Sequence, residues 1–385
     1  MKINDISPYV NKALTETLGE SAVTTDDLSN LVDQGEQVQN ANLTDTLTKN
    51  LMNQVGEWIF VERKYDGIAP SLYMNGSEYG SIMLKSSAKM QEAMPDQSWQ
   101  LNNGTNYADH TFYGTEVDTK LFNSTNPYEF RISKYYDQLK QSLRSPEEML
   151  RFWSMVTTNL QNSATNALDN TIRATVNNAI ACTVHSEAES DNHTKVIKIR
   201  TMFNSIFSQT LTAQAAMFNP DFIRFSVYVM NVMKDKLRGQ SVLFNIGGAE
   251  RFTPADRLHT ILLSQFKQAA GVYLYDGSGQ FRTDNLDLPA ADVVPYWQGL
   301  GTNVGTDLGY VENSSINVKT TGGDLVTVNN IIGVMFDKEM MGVYNKKDKV
   351  TSSYTAAADF WTFYYKYRAM YFNDFNENCI VFLNE

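Results

Sequence analysis

Apolar residues recur at helical spacing over one stretch far longer than any other in this chain. Met149, Phe152, Trp153, Val156, Leu160, Ala164, Ala167, Leu168, Ile172, Val176, Ala179 and Ile180 hold a single stripe, which is about nine turns of helix. Ser145-Pro146-Glu147-Glu148 stands just ahead of it. Ser145 suits the N-cap, Pro146 the first helical position, and Glu148 closes a capping box three residues on. The pattern predicts a helix over 145–185, a rod of roughly 50–60 Å. Its other face carries Thr157, Asn159, Asn162, Asn166, Asn170, Thr171, Asn177 and Asn178, poor helix formers that gain from hydrogen-bonding partners. Such a face lies against another surface, or is simply solvated, or the helix breaks near Asn162.

Residues 1–50 alternate polar and small residues with scattered leucines (Leu14, Leu18, Leu28, Leu31, Leu43, Leu47), the pattern of an extended arm with short helical turns. The apolar run Trp58, Ile59, Phe60, Val61 anchors that arm to a core. From 66 to about 126 the chain is rich in Gly, Asn, Ser and Tyr, yet holds strand-like pieces at 79–85 and 110–121 around a polar stretch near 102–106. This fits a long projecting hairpin, with the alternation at 128–136 as a returning strand. Beyond a polar joint at 186–194, residues 195–329 mix expected helices (199–217, 254–270) with expected strands (222–229, 241–245, 271–275), an α+β unit. Long polar loops are expected at 276–279 and 299–309. Residues 331–344 and 359–383 are strand-rich, the second with Phe360, Trp361, Phe363, Tyr364, Tyr365, Tyr367, Tyr371, Phe372 and Phe375, which suit cross-strand pairs on both faces of a sheet.

Composition narrows the function. The 385 residues are 42% apolar and 19% charged, enough for a globular fold with one large core or two ordinary ones. A formal charge of -11 argues against wrapping nucleic acid by phosphate neutralisation. The 35 Asn favour turns and polar contacts over charged faces. The N-terminus has no signal-peptide order, and the window 222–233 is too short to span a bilayer. Two cysteines make no disulfide framework; Cys182 and Cys379 read as small buried apolar residues.

Candidate chemistry is thin. No phosphate loop, nucleophile elbow or dinucleotide fingerprint occurs, so no cofactor is expected. His185, Glu187, Glu189, Asp191 and His193 lie within nine residues, a set that suits a divalent ion or simply a polar helix end. Asp276-Gly277-Ser278-Gly279 reads as a turn, without the sixth-position glycine of a calcium loop. No nucleophile has an evident base, and no metal site and no enzymatic role is expected.

The order of parts resembles a tailed-bacteriophage major capsid protein of the Hong Kong 97-type fold. Phe336-Asp337-Lys338-Glu339, Gly342-Val343-Tyr344, Tyr364-Tyr365-Lys366-Tyr367-Arg368-Ala369 and the closing Cys379-Ile380-Val381-Phe382-Leu383 are similar to the last strands of that family in small short-tailed phages. The resemblance implies an α+β fold with an N-terminal arm over 1–61 and an extended hairpin loop over 62–140. It further implies a peripheral domain with the spine helix over 141–194, an axial domain over 195–330, and peripheral-domain strands over 331–385. Function by resemblance is self-assembly, as hexamers and pentamers, into an icosahedral shell around a double-stranded DNA genome held without sequence-specific contact, in the host bacterial cytoplasm and with no membrane. A portal protein at one vertex is implied, and since the sequence starts at Met1 without a cleaved leader segment in view, a separate scaffolding protein is expected.

Expected contacts between subunits involve Tyr73, Met74, Tyr79, Met83, Lys85, Met94 and Trp99 of the loop. Asn159, Asn166 and Asn170 of the spine helix, and Asp276 and Gly279 of an axial loop, complete the set. Lys85 and Lys89 also occupy the loop that some relatives cross-link covalently. An encapsulin-like compartment and a soluble carbohydrate-binding protein or enzyme are the alternative readings, the latter using the aromatic sheet as a stacking platform.

Overall fold

The long apolar stripe folds into one unbroken helix, and the rest of the chain is arranged along it. The computed structural model describes residues 3–19, 25, 28–59, 66–74, 83–89, 93–94, 96–99, 101–105, 110, 112, 114–188, 194–273, 291–298, 314–319, 325–358 and 360–385. Helices α1 (Ile3–Leu18), α2 (Leu31–Asn40) and α3 (Thr44–Glu57) open the chain. Strands β1 (Tyr73–Met74), β2 (Met83–Ala88), β3 (Val117–Phe122) and β4 (Thr125–Tyr135) follow, then α4 (Tyr136–Ser142) and the long helix α5 (Pro146–Ala188). Next come β5 (Val196–Lys198), α6 (Ile199–Phe207), α7 (Ala213–Ala216), α8 (Pro220–Leu237), β6 (Leu258–Leu263), α9 (Ser264–Tyr273) and β7 (Ala291–Val294). Strands β8 (Ile316–Lys319), β9 (Leu325–Val328), β10 (Ile331–Asp337), β11 (Met341–Thr355), β12 (Phe360–Asn373) and β13 (Cys379–Leu383) complete it.

The 43 residues of α5 make a rod of about 65 Å. The Glu148 backbone N–H donates to Ser145 Oγ at 3.2 Å, so the cap forms as the sequence predicts. The helix does not break at Asn162. Its two halves serve different cores. Met149, Phe152, Trp153, Val156, Leu160 and Ala164 pack with α1, α3 and the aromatic face of β12. Leu168, Ile172, Val176, Ala179 and Ile180 pack with the second half of the chain.

The N-terminal region is not an extended arm. Ile6, Val10, Ala13 and Leu14 of α1 and Leu47, Leu51, Met52 and Val55 of α3 are buried in one core with the first half of α5, α1 lying on α5 and α3 on α1 and β11, and Lys12 Nζ pairs with Glu57 Oε2 at 2.9 Å. Its Thr, Asn and Asp content lowers helix propensity, which made the sequence look irregular. Burial of the leucine faces offsets that cost, because packing supplies most helical stability in proteins.

Two main sheets flank α5. One has the order β1-β11-β12-β4, the other β5-β13-β10-β6-β7. In β12, Phe363, Tyr365 and Tyr367 are buried and alternate with Tyr364, Lys366 and Arg368, as the period of two requires. Tyr365 donates its hydroxyl to the Met52 carbonyl at 3.2 Å, and Tyr128 and Phe130 of β4 lie on Tyr367 at 5.5 and 5.3 Å. Strands β10 and β13 pair with β6 and β5, so residues 331–385 are divided between the two sheets instead of forming one unit.

Several expectations for 195–273 change. Residues 222–229 are helical, inside α8, where Pro220 follows the Asn219 cap and Asn219 Oδ1 accepts from Asp221 N and Phe222 N at 2.9 and 3.1 Å. The aromatic and β-branched run masked a 3.6 period through Phe222, Ile223, Val227, Met230, Met233 and Leu237. Residues 254–270 are not one helix: β6 is buried at every position, and a strand covered on both faces loses its alternation. Ser208, in the left-handed region at φ 51°, ends α6 within the expected helix 199–217. Residues 271–273 end α9, and 241–245 contribute only a bridge from Ser241 to Arg251.

Candidate assembly surfaces

The hairpin predicted from the sequence forms, with β2 and β3 antiparallel from Met83↔Phe122 to Ala88↔Val117. Its two faces differ in kind. One carries Leu84 opposite Leu121, Ser86 opposite Thr119 and Ala88 opposite Val117, an uncharged row open to solvent with both leucines 62% exposed. The other carries Met83 opposite Phe122, Lys85 opposite Lys120 and Ser87 opposite Asp118, and every one of these rows reaches the chain's own body.

That inward face rests on the turn between β12 and β13. Phe122 lies 5.3 Å from Phe372. Asp374 is buried and takes both lysines, Lys85 Nζ on Oδ2 and Lys120 Nζ on Oδ1, each at 2.8 Å. Lys85 also reaches Glu377 Oε1 at 2.8 Å and Glu339 Oε2 at 3.5 Å. Arg251 donates to Ser87 Oγ at 2.8 Å and pairs with Glu377 at 3.5 Å, and Asn376 Nδ2 donates to Asp118 Oδ2 at 3.3 Å. Arg257 extends the cluster, holding Asp337 and Glu339 at 3.0 Å each. Burial by itself works against the Lys85 ammonium, yet hydrogen bonds and charges from Glu377 and Asp374 outweigh it and hold its pKa above the usual lysine value. Burial also opposes the Asp374 carboxylate, and hydrogen bonds from Lys120 and Lys85 outweigh it, holding that carboxyl below the usual range.

Farther out, the hairpin segment exposes large apolar side chains: Met94 at 74%, Trp99 at 87% and Phe112 at 92%. Trp99 closes a single 3-10 turn, Gln97–Trp99, pinned by Ser98 N donating to Asp96 Oδ1 at 2.9 Å. On α5, Asn159, Asn162, Asn166 and Asn170 face solvent. Thr157, Thr171 and Asn177, expected on the same face, are instead buried, Asn177 donating to the Trp297 carbonyl at 2.9 Å. Beside Asn170 a cleft of about 650 Å³ runs between α5, β4 and β12, with Asn126, Asn178, Asn373, Tyr371 and Phe375 on its walls and no charged side chain among its lining residues.

The expected contact residues therefore separate. Met94, Trp99, Asn159, Asn166 and Asn170 are exposed on the surface. Tyr73 and Met74 pair with Val343 and Tyr344, Met83 lies on the inward face of the hairpin, and Lys85 is bound in the ion cluster, so these four have partners within their own chain. Tyr79, Asp276, Gly279 and the expected loops 276–279 and 299–309 lie outside the described residues. Sequence reasoning missed Lys120, Asp374, Glu377 and Arg251. The acidic run at 374–377 was visible after the aromatic strand, but only the hairpin register brings Lys85 and Lys120 together.

Two further polar clusters have partners within the chain. Ser71 Oγ and Asp292 Oδ2 both meet Nε2 of His259, at 2.6 and 3.0 Å, and Ser71 also contacts Asp292. A catalytic relay needs the carboxylate on Nδ1; here one nitrogen takes both partners, so the trio ties the turn at 70–72 to β6 and β7. Glu187 accepts from the Lys195 backbone and pairs with its ammonium at 3.4 Å, while Glu189, Asp191 and His193 lie outside the described residues. Among the described residues no group of three His, Cys, Asp or Glu side chains is placed to hold a metal, and no helix is long and apolar enough to cross a membrane. Burial pushes the Cys379 thiol up to about 12. Cys182 is only half-buried, not the core residue its place on the stripe suggested.

No curated protein matches the sequence. Solved structures similar to the chain include the capsid of Staphylococcus phage Andhra, at 7% identity and TM-score 0.48 over 82% of this chain and 83% of that one. The capsid of cyanophage P-SCSP1u is similar at 11% identity and TM-score 0.41, over 80% and 84%. The mature capsid of bacteriophage PhiM1 is similar at 6% identity and TM-score 0.41, over 83% and 86%. The model of Phi29-like phage major capsid proteins matches residues 7–383, nearly the whole length, and the chain belongs to that family of shell-forming proteins.

Proposed function

We propose that copies of this major capsid protein join through the outward face and tip of the hairpin, laid over the Asn face of a neighbouring α5, to build hexamers and pentamers of an icosahedral shell. The observation that carries this reading is the two-faced hairpin, one face clamped to its own subunit by charge and the other an uncharged row ending in exposed Met94 and Trp99. Apolar groups held this far from their own core are a protein-binding surface. Asn159, Asn166 and Asn170 offer donors and acceptors without the desolvation cost of charges. The formal charge of -11 supports a container that confines double-stranded DNA without gripping it. In this reading 1–61 and 141–194 are the base on which the neighbour's loop 62–140 lies, and the loops of 195–330 meet around the five-fold and six-fold axes. A scaffolding protein and a portal at one vertex are the partners, and assembly takes place in the host cytoplasm before the subunit becomes part of the virion.

A photo-crosslinking amino acid at position 99 tests the contact in assembled particles. Crosslinks from 99 to residues 159–170 of another copy are expected; particles that yield only uncrosslinked or internally linked chains would refute it.

A further inference from the structure

We propose that Asp374 and Glu377 are positioning residues that aim the hairpin, and that Lys85 and Lys120 are paired across it so that the hairpin is ordered only when seated on them. The proposal rests on the reading of the hairpin as the assembly arm and names what sets its direction.

Lys85 and Lys120 are direct partners in the β2–β3 register. Like charges facing each other across a strand pair are destabilising, so an isolated hairpin carries a penalty at this row. Asp374 removes it by placing one carboxylate oxygen on each ammonium, at 2.8 Å. The rows on either side land on the same platform, through Phe122 on Phe372 and through Asp118 and Ser87 on Asn376 and Arg251. Strand pairing and docking are thereby one event, because the carboxylate that seats the hairpin also lets its strands pair.

The platform is itself fixed. Asp374 N donates to the Met340 carbonyl at 2.6 Å, and Asn376 N donates to Asp374 Oδ1 at 3.1 Å. Ile246 N and Gly247 N both donate to the Phe375 carbonyl, and Asp337 N donates to that of Asn378 at 3.0 Å. The turn joins β12 of one main sheet to β13 of the other, so the hairpin takes its direction from both. Glu377 adds a second carboxylate beside Lys85 and is steadied by Arg251.

Hydrogen exchange on the unassembled full-length chain tests this, with particle yield measured on the same variants. Asp374→Asn is expected to speed exchange of the amides in 83–88 and 117–122 by about tenfold or more, leaving β10 and β13 protected. Adding Lys120→Met to that variant removes the facing charge and is expected to restore part of the protection, which loss of a merely structural contact would not allow. Lys120→Glu, at a partly exposed position, sets a carboxylate against Asp374 and is expected to release the hairpin even if Asp374→Asn fails to fold. Unchanged hairpin exchange in Lys120→Glu, or absence of rescue by Lys120→Met, would overturn the proposal. A released hairpin with undiminished particle yield would leave the positioning role standing and refute the hairpin's part in assembly.

Discussion

Truncating Trp99 to alanine separates folding from assembly more cleanly than any other change. The side chain is 87% exposed at the end of a turn closed by Asp96 and Ser98, and the indole adds to that turn only a solvent-exposed hydrogen bond to the Asp96 carboxylate. In the unassembled subunit the substitution therefore changes stability by less than about 0.5 kcal/mol. On the proposed contact the ring is covered in the shell. Taking on the order of 150–200 Å² of aromatic surface out of water gives an upper bound of about 4–5 kcal/mol, and truncations of interface anchors fall near 2–4 kcal/mol. At the low end, about 2 kcal/mol per contact raises the concentration needed for assembly by about 30-fold. The assay is particle yield against protein concentration, by light scattering, beside urea unfolding of the unassembled protein. An assembly threshold unchanged at equal subunit stability would refute the hairpin tip as a contact.

Acid and alkali should release the hairpin at opposite ends of the pH range. The Asp374 carboxyl is depressed, so its contribution is present above the ordinary carboxylate pKa and is lost as pH falls through its own lower value. The Lys85 ammonium is raised, so its contribution is full below the ordinary lysine pKa and is lost as pH rises through its own higher value. Protection of 83–88 and 117–122, corrected for intrinsic exchange, should be level between about pH 5 and pH 9; a step near neutrality would contradict the cluster, whose charged members are Lys85, Lys120, Asp374, Glu377, Glu339, Arg251, Asp118, Arg257 and Asp337. Gly333→Ala in β10 would set its Cβ 2.7 Å from Leu262 Cδ2 and 2.9 Å from the Ile261 carbonyl oxygen, and because that carbonyl belongs to the paired strand and cannot move aside, we expect a loss of about 1–3 kcal/mol in urea unfolding. Trp153→Ala, at the buried junction where Tyr9 stacks on the indole at 5.9 Å, should cost about 3–5 kcal/mol and expose α1, and with it α3, to protease; cleavage resistance equal to the parent would contradict the docking of α1 on α5.

The legible parts of the fold were those that keep one apolar period along their whole length. The stripe of α5 and its Ser145 cap could be read directly because the same apolar stripe is buried along both halves of the rod, and the alternation in β12 because one of its faces carries the aromatics inward. Strand β6 and helix α8 were misread for related reasons: β6 is covered on both faces and shows no alternation, and α8 is so rich in Phe, Val and Tyr that its helical period is hidden. Helix α1 gains its stability from α5 and α3 from α1 and β11, partners that for the most part lie more than a hundred residues away in sequence, and local propensity could not report that.

The assembly surfaces were half legible. Met94 and Trp99 stand out in a polar segment, and the Asn row of α5 is conspicuous where Lys and Glu would be ordinary. Tyr73, Met74 and Lys85 looked equally available, yet their partners lie some 250 to 300 residues later, in β11 and the acidic turn. Which lysines face each other depends on the hairpin register, and that is set by pairing, not composition.

Electron microscopy with light scattering on the purified protein, alone and with a scaffolding protein, tests the central claim most directly. Closed shells or capsomer rings are the predicted result. A monodisperse monomer near 43.5 kDa in every condition would contradict it.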